Sequence, residues 1–370
     1  MRLLLFELKK ILFSKRFIYL LFAVMVGVIF LFTRNYFFQS YIEKEQEKEI
    51  IEEIQYGQSL IRQYQESLAR NPEQPDIQHL QRQIGLIVEI LFQMRSTIGS
   101  EDWESKLFLE IDYLNKVTEF HTAGGLFPIT STEIKNRIIV NNHLLAKGIK
   151  PEHEMYSIVP PNFIKQVVDL LASAGVVVLL LLAIGDLLTS EFENWSLKFL
   201  FVQPLKKSSI IHAKVWSSIL IYIILLVVTL TTSWTVSKLF GTQGTFDYPI
   251  LIEEAYGPAF LPLHQYIPAL LVLVSINALF VIGLIMVWSI IVKNSLAALF
   301  GVIITMIFCY FITSMTQLLP ANLNPFYYVL PVESLLSQND NPWWTAIPVT
   351  VGAFGFFYAL SIVQMKKVKW

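Results

Sequence analysis

The chain has 370 residues, of which 54% are hydrophobic and 15% charged, with 28 Lys and Arg against 29 Asp and Glu. Soluble domains average roughly 25% charged residues, so this composition excludes a disordered chain, and a net charge of -1 leaves no basic footprint for nucleic acid. The lone cysteine, Cys309, excludes an intrachain disulfide framework and a multi-cysteine metal site. With a mean hydropathy of +0.53, the class indicated is an integral membrane protein.

Residues 1–16, MRLLLFELKKILFSKR, alternate apolar side chains with Glu7, Lys9, Lys10 and Lys15. This pattern suits a cytoplasmic helix lying in the membrane interface, its lysine stems reaching toward headgroups. A bilayer core needs about 20 mostly apolar residues in a helix. Residues 17–38 supply such a run, free of charge until Arg34. It is too long for a signal-peptide core and reads as a retained first span.

Residues 39–163 are polar and read as a helical extracytoplasmic domain. Ile50, Ile54, Ile61, Tyr64 and Leu68 recur at helical spacing, and Pro72 and Pro75 close that helix. Ile77, Leu80, Ile84, Ile87, Leu91 and Met94 mark a second helix. Ser100-Glu101-Asp102 predicts a capped start for a third helix, reaching about Phe120. A fourth is expected from Thr130 to Lys147, ended by Gly148. The acidic run Glu43 to Glu53 reads as a solvated helix face.

Residues 164–370 read as a five-helix transmembrane bundle, with apolar runs at 164–188, 215–237, 266–292, 295–318 and 345–364. The expected fold is therefore all-α, with six spans and the polar domain between the first and second. Basic residues set the orientation. Lys198, Lys206, Lys207, Lys214, Lys293, Lys366, Lys367 and Lys369 share a side with the N-terminal cluster, whereas 238–265 has only Lys238 and 319–344 has no Lys or Arg. Both termini are expected in the cytoplasm of a multi-pass cell-membrane protein.

The chain holds no G-x-x-x-x-G-K-[ST], H-E-x-x-H or G-x-S-x-G pattern. His153, between Glu152 and Glu154, reads as a surface loop, and Cys309 as packing in the fifth span. No catalytic, metal or cofactor residue is indicated. Lys165 and Asp169 are spaced for an i,i+4 pair, and they and Asp186 lie near span ends as anchors or helix contacts. Asn277 lies well inside a span, where an interhelical polar contact is expected.

The loop after the second span, residues 189–214, reads TSEFENWSLKFLFVQPLKKSSIIHAK. Ser190 can cap a short helix with Glu191 and Glu193 at its positive end. Pro204 then breaks the chain before Lys206 and Lys207. An amphipathic cytoplasmic segment wedged between two spans is placed to receive force from a soluble partner.

These residues resemble the permease subunits of type-2 ABC exporters, which share an N-terminal E-x-x-K helix, here Glu7 and Lys10. The family's loop runs acid, acid, Gly-Thr, a leucine-rich stretch, Pro, a basic residue, then Lys. Here it is Glu191, Glu193, Leu197, Leu200, Pro204, Lys207 and Lys214, with Trp195-Ser196 in place of Gly-Thr. The large insertion after the first span resembles a variant common in Gram-positive peptide and antibiotic-resistance systems. The resemblance implies two permease copies, as a homodimer or related heterodimer, and two ATPase subunits that carry ATP and magnesium. It also implies a docking and coupling surface containing Glu7, Lys10, Glu191, Glu193, Trp195, Pro204, Lys207 and Lys214. The function implied is export of an amphipathic substrate, whether peptide, antibiotic or lipid-like. The competing reading is a membrane sensor or assembly factor that binds a ligand through its outer domain and has no ATPase partner.

Overall fold

The computed structural model describes residues 2–197, 202, 206–255, 257–316, 323–338 and 342–368. The chain divides into two compact units, one of residues 1–32, 158–246 and 252–370 and the other of residues 33–157 and 247–251. Among the described residues, six helices are long and apolar enough to cross a membrane.

In the first unit, α1 (Arg2–Leu12) is the short amphipathic helix. Helix α2 (Lys15–Arg70) is one uninterrupted element of 56 residues, so its sequence contributes to both units in turn. Nothing between 38 and 50 breaks it, because residues 39–49 contain neither Gly nor Pro. The second span comprises α6 (Pro160–Leu170), a π-helical turn at Leu171–Gly175 and α7 (Val176–Ile184). A short α8 (Thr189–Glu193) follows. The remaining spans are α9 (Lys207–Phe240), α10 (Leu263–Val292), α11 (Ser295–Thr316) and α13 (Ala346–Lys367), with the six-residue α12 (Pro331–Leu336) before the last.

Helix α10 is apolar on all sides, the pattern of a helix surrounded by others. It forms the centre of this unit, with Leu270, Val274, Phe280 and Ile282 fully buried. Helix α13 lies along it. Gly283 permits that approach, since a Cβ there would meet Phe357 at 3.1 Å and Phe354 at 3.3 Å. The expected Lys165–Asp169 pair forms at 2.9 Å, and Tyr266 donates to the same carboxylate at 2.8 Å. Asn277 is buried, and its Nδ2 donates at 3.3 Å to the carbonyl of Val329, in a 3-10 turn at Pro325–Val329 rather than in another span.

Three short strands went unpredicted: β1 (Pro249–Glu254), β2 (Gly257–Pro262) and β3 (Ser337–Gln338), in the order β2-β1-β3. Strands β1 and β3 are parallel, with Glu253 opposite Ser337 and Glu254 opposite Gln338. A two-residue strand carries no period-2 pattern, so this sheet leaves little trace in the sequence.

The second unit is helical. Beyond its share of α2 it contains α3 (Pro75–Ser96), α4 (Trp103–Thr122) and α5 (Ser131–Lys147). Asp102 caps α4 by accepting from the Ser105 amide at 3.1 Å, and Thr130 caps α5 by accepting from the Glu133 amide at 3.3 Å. Gly148 ends α5 at φ +62°, a conformation glycine adopts without steric cost. Ile54, Ile84, Leu91, Leu114, Val117 and Phe120 form the core. Gly57 lets α2 and α3 close on one another, because a Cβ there would lie 2.5 Å from Val88.

Candidate functional site

Within the first unit, α1 packs along α9. Glu7 and Lys10 lie three residues apart on one helix face. Glu7 is 1% exposed and Ile11 is buried, whereas Leu5 and Phe6 stand exposed on the rest of the helix and Phe13 just after it. The helix thus buries one acid, Glu7, beside Ile11 and leaves large apolar side chains exposed together with Lys9 and Lys10, a surface suited to a membrane interface.

The buried charges form a connected cluster. Lys214, fully buried in the second turn of α9, approaches Glu191 Oε1 at 2.8 Å and Glu7 Oε2 at 3.4 Å. Its Nζ also donates to the Leu187 carbonyl at 3.0 Å. Lys10 donates to the same Glu191 oxygen at 2.8 Å. Two acids and two bases therefore join α1, α8 and α9 with no net charge. Arg16, at the start of α2, pairs with Asp186 beside this cluster. Burial alone would lower the Lys10 pKa. The hydrogen bond to Glu191, followed by the charges of Glu191, Glu7 and Asp186, raises it above the ordinary lysine value and keeps it cationic.

A second set of contacts ties α8 to α11. Glu193 accepts from the Ser295 amide at 2.6 Å and from its hydroxyl at 3.0 Å. A carboxylate thus sits at the N-terminus of a span, where unpaired amides and the helix dipole favour negative charge. Thr189 and Ser295 share a hydroxyl contact of 2.9 Å. Gly185 makes the junction possible, because a Cβ there would lie 2.3 Å from both the Leu181 carbonyl and the Leu299 side chain.

Trp195 occupies the position where the family pattern has glycine. Its φ is +58°, in the left-handed region that glycine enters freely. The turn at this position thus carries a residue that costs more to place there than glycine would. The ring is 59% exposed. Lys207 donates to the Val368 carbonyl at 2.7 Å, tying the start of α9 to the end of α13. Ser190 lies inside α8 rather than capping it, since the helix begins at Thr189 and its N-cap is Leu188. Pro204 and Leu200 lie outside the described residues.

The sequence-selected residues thus sort by exposure. Glu7, Glu191 and Lys214 are buried and hold elements together. Lys9, Lys10, Glu193, Asn194 and Trp195 lie at the surface. Sequence reasoning missed Arg16 as a partner for Asp186 and Ser295 as a partner for Glu193; pairs so distant along the chain leave no local spacing to read. Among the described residues, no group of three or more His, Cys, Asp and Glu side chains could hold a metal ion.

Comparison with curated proteins and with solved structures yields no match. The family model described as ABC-2 family transporter protein matches residues 1–341. A buried ion cluster binding an N-terminal amphipathic helix to the loop after the second span accordingly belongs to a membrane transport component, and the chain is a member of the ABC-2 transporter family.

Proposed function

We propose that this chain is the permease of an ATP-driven exporter, worked by a separate ATPase subunit that binds ATP and magnesium. The partner docks on the exposed side of α1, α8 and the residues after it. Glu7, Lys10, Glu191 and Lys214 make those elements one rigid body, so that motion imposed there reaches α9 directly and α11 through Glu193. Two permease copies and two ATPase subunits complete the assembly, shifting an inward- and outward-facing equilibrium as ATP is bound and hydrolysed. Both termini are cytoplasmic, the unit of residues 33–157 is extracytoplasmic, and the substrate is amphipathic.

The observation that carries this reading is the four-charge cluster, in which Glu7, Glu191 and Lys214 are buried and Lys10 reaches Glu191 from the surface. A buried ion network contributes little net stability compared with apolar packing, but it fixes which elements meet and in what register. Its value here lies in transmitting force.

Site-specific photo-crosslinking from position 195, in membranes of the native cell, tests the docking face. The expected adduct is a protein carrying a phosphate-loop sequence, lost when unlabelled ATPase subunit is supplied in excess. Adducts confined to lipid or to proteins without that sequence would remove the docking assignment.

A further inference from the structure

The start of α9 and the end of α13 meet within the first unit. Lys207 Nζ donates to the Val368 carbonyl at 2.7 Å. Further along both helices, the rings of His212 and Tyr358 cross with centroids 5.4 Å apart, and His212 Nδ1 is in hydrogen-bond contact with the Tyr358 hydroxyl. This join brings Lys206, just before α9, to Lys366 and Lys367, in the last turn of α13. All three are exposed, and among the described residues no ion pair reaches them.

Nothing nearby along the chain neutralises them. Residues 194–246 and 341–370 contain neither Asp nor Glu. Glu7 and Glu191, beside the second turn of α9, are committed to Lys214 and Lys10, and Asp186 is taken by Arg16. The junction is therefore a positive patch made by two segments far apart in sequence. Inward from the charges the same two helices turn aromatic and then apolar. Trp216 follows His212 by one turn of α9, Ile223 follows Trp216 by two, and both are exposed. On α13, Phe356, Val363 and Lys367 share a face at spacings of seven and four, with Phe356 and Val363 exposed. Lysines at the helix ends, then His212, Tyr358 and Trp216, then Ile223 and Phe356 match the layers of one phospholipid: phosphate, glycerol and acyl chain. A soluble anion would use the lysines alone, whereas a lipid uses the whole surface.

We infer that the α9–α13 junction binds an anionic phospholipid, its phosphate held by Lys206, Lys366 and Lys367 and its acyl chains lying along Trp216, Ile223 and Phe356. The inference depends neither on the substrate nor on an ATPase docking elsewhere on the chain.

The test is native mass spectrometry of the purified full-length chain in mild detergent, titrated with phosphatidylglycerol or with phosphatidylcholine of the same acyl chains. A lysine beside an anionic headgroup contributes about fivefold in affinity. Phosphatidylglycerol is therefore expected to bind at least about tenfold more tightly than phosphatidylcholine. Lys366→Gln combined with Lys367→Gln is expected to remove most of that preference. Lys9→Gln combined with Lys15→Gln removes the same charge from exposed positions outside the junction and is expected to leave the preference largely in place. Inorganic phosphate in excess is expected to leave the lipid bound, because it makes no contact with the apolar part of the site. Equal binding of the two lipids would overturn the inference, as would a preference that survives loss of Lys366 and Lys367. Equal loss in the Lys9 and Lys15 variant would assign the preference to the charge of the whole face, and displacement by phosphate would assign the patch to a soluble anion; either result also overturns it.

Discussion

Glu191 joins three elements, since its Oε1 meets both Lys10 and Lys214 at 2.8 Å while its Oε2 has no hydrogen-bond partner. Removing one partner from a buried ion pair costs about 3–5 kcal/mol, because the other charge stays behind unpaired. Glu191→Gln should therefore lower the unfolding temperature markedly. Glu191→Gln with Lys214→Met should cost less than the sum of the single changes, since the orphaned cation goes with its partner. Strictly additive losses in thermal unfolding would show that the two groups do not interact. Trp195 gives the opposite sign. The left-handed conformation costs a non-glycine residue roughly 1–2 kcal/mol, so Trp195→Gly should raise stability by about 1 kcal/mol while removing the exposed ring from the docking face. Higher thermal stability together with weaker ATPase association would separate those two roles. In the second unit, burial raises the Glu53 pKa above its usual value of 4.5, only partly offset by the Tyr113 hydrogen bond. The folded state then holds this proton to higher pH than the unfolded chain does. Its contribution is full below about pH 4.5 and is lost as pH rises through the raised value. Glu152 shifts the same way, again through burial. Thermal unfolding followed across that range should show the decline, and Glu53→Gln should flatten it.

Helix ends with a local chemical cause could be read from the sequence; features set by distant neighbours could not. Asp102, Thr130 and Gly148 announced their caps, whereas Pro75, read as closing the preceding helix, opens α3 at its first position. The π-helical turn at Leu171–Gly175 lies inside an apolar run with no residue to mark it. The sheet went unseen because β3 is two residues long and is defined by its pairing with β1. The continuity of α2 was hidden by a change of composition, from apolar to charged, that does not disturb helical backbone. Gly185 depends on a neighbour as well as on its own helix: a Cβ there would meet both the Leu181 carbonyl and the side chain of Leu299, more than a hundred residues away. Gly185→Ala inserts a methyl group between α7 and α11, and overpacking of this kind typically costs about 1–3 kcal/mol. The thermal midpoint should fall accordingly, with Glu193 losing its hold on Ser295. An unchanged midpoint would mean that the two helices have room to separate.

For the whole molecule, family membership and the six apolar helices followed from composition and motif, whereas the internal arrangement of the site did not. The acid-and-lysine pattern pointed to Glu7, Lys10, Glu191 and Lys214 individually, but only the folded chain shows them joined, with Glu7, Glu191 and Lys214 buried. Pairing the charges inside that cluster keeps α1 seated, with Lys10 at its water-facing edge. In the proposed assembly the exposed rim around it, with Lys9, Asn194 and Trp195, is the face the ATPase subunit meets. The most direct test of this account is purification of the chain from its native membrane in mild detergent, with mass spectrometry of what accompanies it. The account predicts a subunit bearing a phosphate loop, recovered in equal amount, and its loss when Trp195 is replaced. Recovery of the chain free of any nucleotide-binding partner, under conditions that keep other membrane complexes whole, would contradict it.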